Sequence, residues 1–132
     1  MITKQVNEIP GMAANMDGVQ GVEMRMLIGP DEGAANFHMR QFDVAPGGHT
    51  PRHTHEWEHE MYVLAGAGTA WSADGERAIA AGQCIFVPGG EEHQFLNTGD
   101  ATLKFLCLVP ASGTACMTPL TPPMTNIATN PR

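Results

Sequence analysis

Glycine and proline interrupt this chain at short intervals almost from end to end. Of its 132 residues, 15 are Gly and 10 are Pro. A proline inside a helix removes a hydrogen bond and clashes with the preceding turn, and glycine weakens helices and strands alike. What remains between the breaks is a series of short stretches suited to strands joined by tight turns. Glu23–Ile28 is predicted as a strand that stops at Gly29-Pro30. Asn36–Val44 alternates, with His38, Arg40, Phe42 and Val44 facing one way. Ala45-Pro46-Gly47-Gly48 is predicted as a break, followed by an extended Thr50–His55. Glu60–Leu64 is a strand running into Gly66-Ala67-Gly68. Thr69–Ser72 and Arg77–Ala80 flank Asp74-Gly75, a hairpin signal. Gln83–Val87, Gln94–Leu96 and Thr102–Val109 complete the set. With eight to ten short strands and no convincing helix, the expected fold is an all-β barrel or sandwich.

Composition narrows the function. Seven basic residues against 14 acidic ones give a formal charge of −7. No basic stripe exists for a phosphate backbone, so nucleic acid is not an expected partner. The longest apolar runs, Met61–Ala65 and Phe105–Val109, are far shorter than the roughly 20 residues of a membrane span, so no membrane partner is expected either. MITKQVNEIP has no apolar signal-like core. Cys84, Cys107 and Cys116 form no CxxC pair, and a cytoplasmic location is expected.

The six histidines are clustered. His49, His53, His55 and His59 fall within eleven residues, and His93 follows Pro88-Gly89-Gly90. In extended chain His53 and His55 point to one side. His59 shares their parity, and Glu60 is the alternative if the turn shifts register. Antiparallel pairing would set His93 opposite. Neutral imidazoles suit one divalent transition metal, with Mn or Fe favoured and Zn, Ni or Cu possible. A six-coordinate ion with four protein ligands keeps two positions for water, dioxygen or a chelating substrate, whereas four-coordinate Zn would be closed and structural. His38 and His49 are expected to be bystanders.

These residues carry a family resemblance. Gly47-x5-His53-x-His55-x4-Glu60 resembles the first cupin motif, and Gly82-x5-Pro88-x-Gly90-x2-His93-x3-Asn97 matches the second. Gly66 closes the first motif one residue earlier than usual. From about residue 22 to 112 the chain is similar to small single-domain bacterial cupins that bind manganese through four histidines. The resemblance implies a jelly-roll cupin β-barrel over residues 1–112, including the N-terminal strands. It does not cover residues 113–132, a Pro-rich C-terminal arm or tail in which Met117, Leu120, Met124 and Ile127 are the apolar positions. It also implies His53, His55, His59 and His93 as metal ligands, with Glu60 displaced, two adjacent open coordination sites, and a homodimer.

Phe105, Cys107 and Val109 share one strand face, so Phe105 and Cys107 are pocket candidates. Trp57 and Arg40 are candidates by proximity, although Arg40 and Arg52 read more simply as surface partners of Glu56 or Glu58. Cys84 and Cys116 read as buried, inert thiols. The expected function is metal-dependent oxidation, dioxygenase-like, of a small apolar or enolisable substrate. The alternatives are a non-catalytic metal or small-ligand binding module and a Lewis-acid isomerase.

Overall fold

The computed structural model describes residues 1–113, so the predicted C-terminal arm lies outside the described residues apart from Gly113. Nine strands form one antiparallel sheet: β1 Met12–Ala13, β2 Gln20–Ile28, β3 Phe37–His49, β4 His59–Ala65, β5 Ala67–Ser72, β6 Gly75–Ala80, β7 Cys84–Val87, β8 His93–Leu96 and β9 Leu103–Pro110. Three one-turn 3₁₀ segments are the helical elements among the described residues. The order is β6-β5-β8-β3-β9-β4-β7, with β2 also on β3 and β1 on β2. The sheet curls on itself, the jelly-roll arrangement expected of the all-β fold.

β3 makes the curl possible. Its first part pairs with β9 from Phe37↔Pro110 to Val44↔Leu103, while its last residue pairs His49↔Leu96 on β8. The predicted break at Ala45–Gly48 is therefore corrected: the strand continues and bends there. Gly47 adopts φ +81°, which favours glycine. A Cβ on Gly48 would stand 2.6 Å from the Gln20 carbonyl oxygen, so glycine lets the bend close on β2. The predicted extended stretch Thr50–His55 is reduced to a single bridge, His53↔His93. The β5–β6 hairpin turns at Ala73-Asp74, with Ser72 opposite Gly75, one residue ahead of the Asp-Gly centre expected.

The alternation predicted for β3 holds: His38, Arg40, Phe42 and Val44 are buried. They meet the inward residues of β9 (Leu103, Phe105, Cys107, Val109) and of β4 (Met61, Val63), and a continuous apolar core fills the barrel. On the opposite parity, Phe37, Tyr62, Leu64 and Phe86 are exposed. Cys84 lies exposed opposite Tyr62, which corrects the expectation of a buried thiol: β7 pairs with β4 alone, so its outer residues have no covering layer.

Candidate metal centre

Three segments bring the histidines together. His59 opens β4 with the inward parity of Met61 and Val63, and Glu60 points outward and is exposed. His93 opens β8, in line with inward Phe95. His53 and His55 sit on the connection between β3 and β4. The His53 and His93 backbones exchange two hydrogen bonds, of 3.2 and 3.0 Å, and the Gly90 N–H donates to the His55 carbonyl at 2.7 Å. Gly89 backs directly onto the Glu56 carbonyl, where a Cβ would overlap its oxygen. Two loops remote in sequence are thus held face to face.

The ligating atoms of His53, His55, His59 and His93 all lie within 4.8 Å of one another. His55 Nε2 and His59 Nε2 are 2.8 Å apart. The second nitrogens are tied down: His55 Nδ1 donates to the Trp57 carbonyl at 2.9 Å, and His93 Nδ1 to the Glu91 carbonyl at 2.8 Å. His59 Nδ1 lies 3.1 Å from Cys107 Sγ. Such outer partners orient imidazole ligands and set which nitrogen is bare.

Burial holds these rings neutral. It lowers His53 to about 4, helped by the nearby His93 and His55. It lowers His59 to about 2, with the Arg40 cation as the next cause. Burial also lowers His55, and it lowers His93 against the opposing pull of Glu91 and Glu92. Four convergent neutral imidazoles are a donor set for a borderline divalent ion, and the group could bind one.

Behind the imidazoles lies a cavity of about 30 Å³, lined by His53, His59, His93, Arg40, Thr50, Cys107 and the apolar side chains Phe42, Met61, Phe95 and Phe105. That is room for about one water molecule. Arg40 is only 1% exposed. Its Nη2 donates to Cys107 Sγ at 3.5 Å, and its Cζ lies 5.1 Å from the Phe42 ring centre. The expected surface pairing with Glu56 or Glu58 is thereby corrected, because β3 turns position 40 into the barrel. Arg52 likewise stacks on Trp71, 3.6 Å from the ring centre. Burial raises the Cys107 thiol, so it is neutral at ordinary pH.

Phe105 and Cys107 both line the cavity. Trp57 stands outside it, stacked on His55 at 4.4 Å and nearly parallel, with Gly113 against its indole edge. His38 donates from Nε2 to the Ala34 carbonyl at 2.9 Å, and His49 from Nδ1 to the Thr50 carbonyl at 3.2 Å; neither belongs to the cluster. Thr50, Phe42 and Phe95 were not singled out from sequence. The parity of Phe42 with Arg40 and of Phe95 with His93 was the available signal. A larger open groove of about 470 Å³ at Ala13, Val19, Glu23 and Asp43 lies apart from the histidines.

The model of the cupin domain matches residues 40–109. The oxalate-binding protein of Thermotoga maritima is 32% identical over 114 residues, covering 83% of this chain and 93% of that protein. A 1-methylthio-D-xylulose 5-phosphate methylsulfurylase of Rhodospirillum rubrum is 37% identical over 73 residues, covering 55% of this chain, which spans only 47% of that relative's length. The crystal structure of the polyketide cyclase RemF from Streptomyces resistomycificus superposes with a TM-score of 0.80 at 34% identity, covering 84% of this chain and 80% of that one.

Proposed function

The chain belongs to the cupin domain family, and on that premise we propose that it is a metal-dependent enzyme acting oxidatively on a small, enolisable, anionic substrate. The observation that carries this reading is the convergence of four neutral imidazoles beside a buried cation, Arg40. His53, His55, His59 and His93 would hold the ion. A divalent ion there supplies Lewis acidity and, as Mn or Fe, one-electron redox capacity. The protein's own part is electrostatic and steric. Arg40 places a fixed positive charge on the cavity wall, which favours a carboxylate or enolate over its neutral form. Phe42, Met61, Phe95 and Phe105 keep water out of the inner site and so strengthen that effect.

With so little room behind the imidazoles, the bulk of such a substrate lies toward the mouth, where Trp57 covers His55. An isomerase would require a further base, and no carboxylate lines the cavity among the described residues. A second reading, non-catalytic binding of a small anion, is supported by the likeness to an oxalate-binding protein. The test is elemental analysis of protein purified without chelator, then oxygen consumption with Mn(II) or Fe(II) loaded, over diketones, catechols and small carboxylates. Metal-dependent oxygen uptake with one of these classes is the expected result. A fully loaded site that binds oxalate and consumes no oxygen across the panel overturns the enzymatic reading in favour of the second.

A further inference from the structure

The wall of the inner cavity carries charge of one sign. Three of the imidazoles, His53, His59 and His93, face it together with one cation, Arg40. No carboxylate lines it among the described residues. Glu60, the acidic residue next to His59, points outward and is exposed. Arg40 is also close to the imidazoles. Its Nη2 lies 3.5 Å from Cys107 Sγ, and that sulfur lies 3.1 Å from His59 Nδ1. The two contacts together bound the distance from guanidinium to ring at about 7 Å, where like charges away from water still repel. Water screens little of this, because Arg40 is only 1% exposed. Neutral imidazoles tolerate such a neighbour. A divalent ion held by them does not, since neutral ligands leave its full double charge in place beside the guanidinium.

We infer that Arg40 makes metal loading conditional on an anion: the centre takes up a small carboxylate together with its metal, and each raises the affinity for the other. The inference rests on the metal-binding reading above. Linkage requires the same factor in both directions, typically about 5–150-fold. The site also limits the class of anion. A cavity of about 30 Å³ has room for about one water-sized group, such as a single carboxylate oxygen. The guanidinium is a flat, permanently charged donor whose geometry suits a carboxylate. Arg40 thereby differs from every ligand in the sign of its effect. Removing a histidine weakens metal binding under all conditions. Removing Arg40 strengthens it when no anion is present, and abolishes the help that an anion gives.

The test is calorimetric titration of the full chain with Zn(II), in a non-coordinating buffer at fixed ionic strength. Perchlorate, a poor ligand for metals, is the background salt, and formate is the probe. Formate also competes for free Zn(II), which lowers apparent affinity, so a rise belongs to the protein. Wild type should bind Zn(II) about 5–150-fold more tightly at saturating formate than in perchlorate alone. Zn(II)-loaded protein should bind formate more tightly than metal-free protein by the same factor. Arg40→Met, similar in length but uncharged, should bind Zn(II) at least about fivefold more tightly than wild type in perchlorate, and formate should change its affinity by less than about twofold. Formamide, neutral and of similar shape, should act on neither protein. A wild-type affinity that formate leaves within about twofold overturns the inference. So does an Arg40→Met that binds Zn(II) no better than wild type in perchlorate, or that keeps the full formate effect. If Arg40→Met fails to fold, the two wild-type titrations decide alone. Zn(II) binding that ignores formate overturns this inference only, whereas no Zn(II) binding at any formate concentration overturns the metal reading and this inference with it.

Discussion

Gly89→Ala should weaken metal binding although Gly89 is not a ligand. Its backbone does not have positive φ, so alanine is conformationally acceptable there. The obstacle is space: the added Cβ would overlap the Glu56 carbonyl oxygen and stand 3.0 Å from the Glu56 carbonyl carbon, where ordinary contact begins near 3.4 Å. Backbone on both sides must move apart by about 1 Å, because the added Cβ would stand 2.1 Å from that oxygen. The two loops that part are those carrying His55 and His93. Metal–ligand bonds tolerate only about ±0.2 Å, so a shift of that size costs about 10–100-fold in affinity, or about 1.4–2.7 kcal/mol.

The control is the neighbouring residue. Gly90 has φ +86° and open space where a Cβ would go. Gly90→Ala should therefore lower the stability of the metal-free protein by about 1–2 kcal/mol through backbone strain, with metal affinity close to wild type. The assay is calorimetric titration with Zn(II) or Mn(II), alongside urea denaturation of the metal-free proteins. A folded Gly89→Ala that binds metal within twofold of wild type would refute the reasoning. So would a Gly90→Ala that loses as much affinity as Gly89→Ala.

The metal-free protein should lose stability as pH falls below about 6.5, where unfolded histidines take up protons while folded His53 resists to about 4 and His59 to about 2. The unfolded state binds more protons across that window, so stability rises with pH; His59 alone contributes about 2 kcal/mol between pH 5 and 7, and the half-solvated His53 less. Urea midpoints at the two pH values measure this, and a flat profile would contradict it. Phe105→Ala should cost about 3–5 kcal/mol, because Phe105 is 2% exposed and its ring lies between those of Phe42 at 5.5 Å and Phe95 at 5.6 Å. A loss under about 1 kcal/mol in urea denaturation would show that the site collapses around the missing ring.

Strand positions were legible because alternation is local. His38 to Val44 on β3 and Phe105 to Val109 on β9 declare their inward faces by parity alone, and the histidine spacing declares the cluster. What was not legible depends on long-range pairing. Arginine is among the residues least often buried, so nothing around Arg40 in the chain announces that β9 and β4 enclose it. The contact between Cys107 and His59 exists because β9 lies against β4 with Met61 opposite Cys107, a register that no local pattern encodes. The bend at Ala45–Gly48 reads as an end because glycine and proline mark ends and bends alike. Here the strand finds new partners on the far side.

The placement of β9 also dictates an order of events during synthesis. β3 leaves the ribosome early, yet its partner β9 begins only at Leu103 and pairs back as far as Phe37. Until the chain has grown through Pro110, the Arg40 side of β3 has no cover and His59 has no sulfur beside it. The β2–β3 pair must meanwhile persist with one apolar face and one hydrogen-bonding edge unprotected, the condition in which nascent strands recruit wrong neighbours. Three of the four histidines are translated well before the pocket they belong to can close. Any metal loading at the four histidines would therefore follow completion of β9, and a chain cut short before β9 would display histidines without a barrel to aim them.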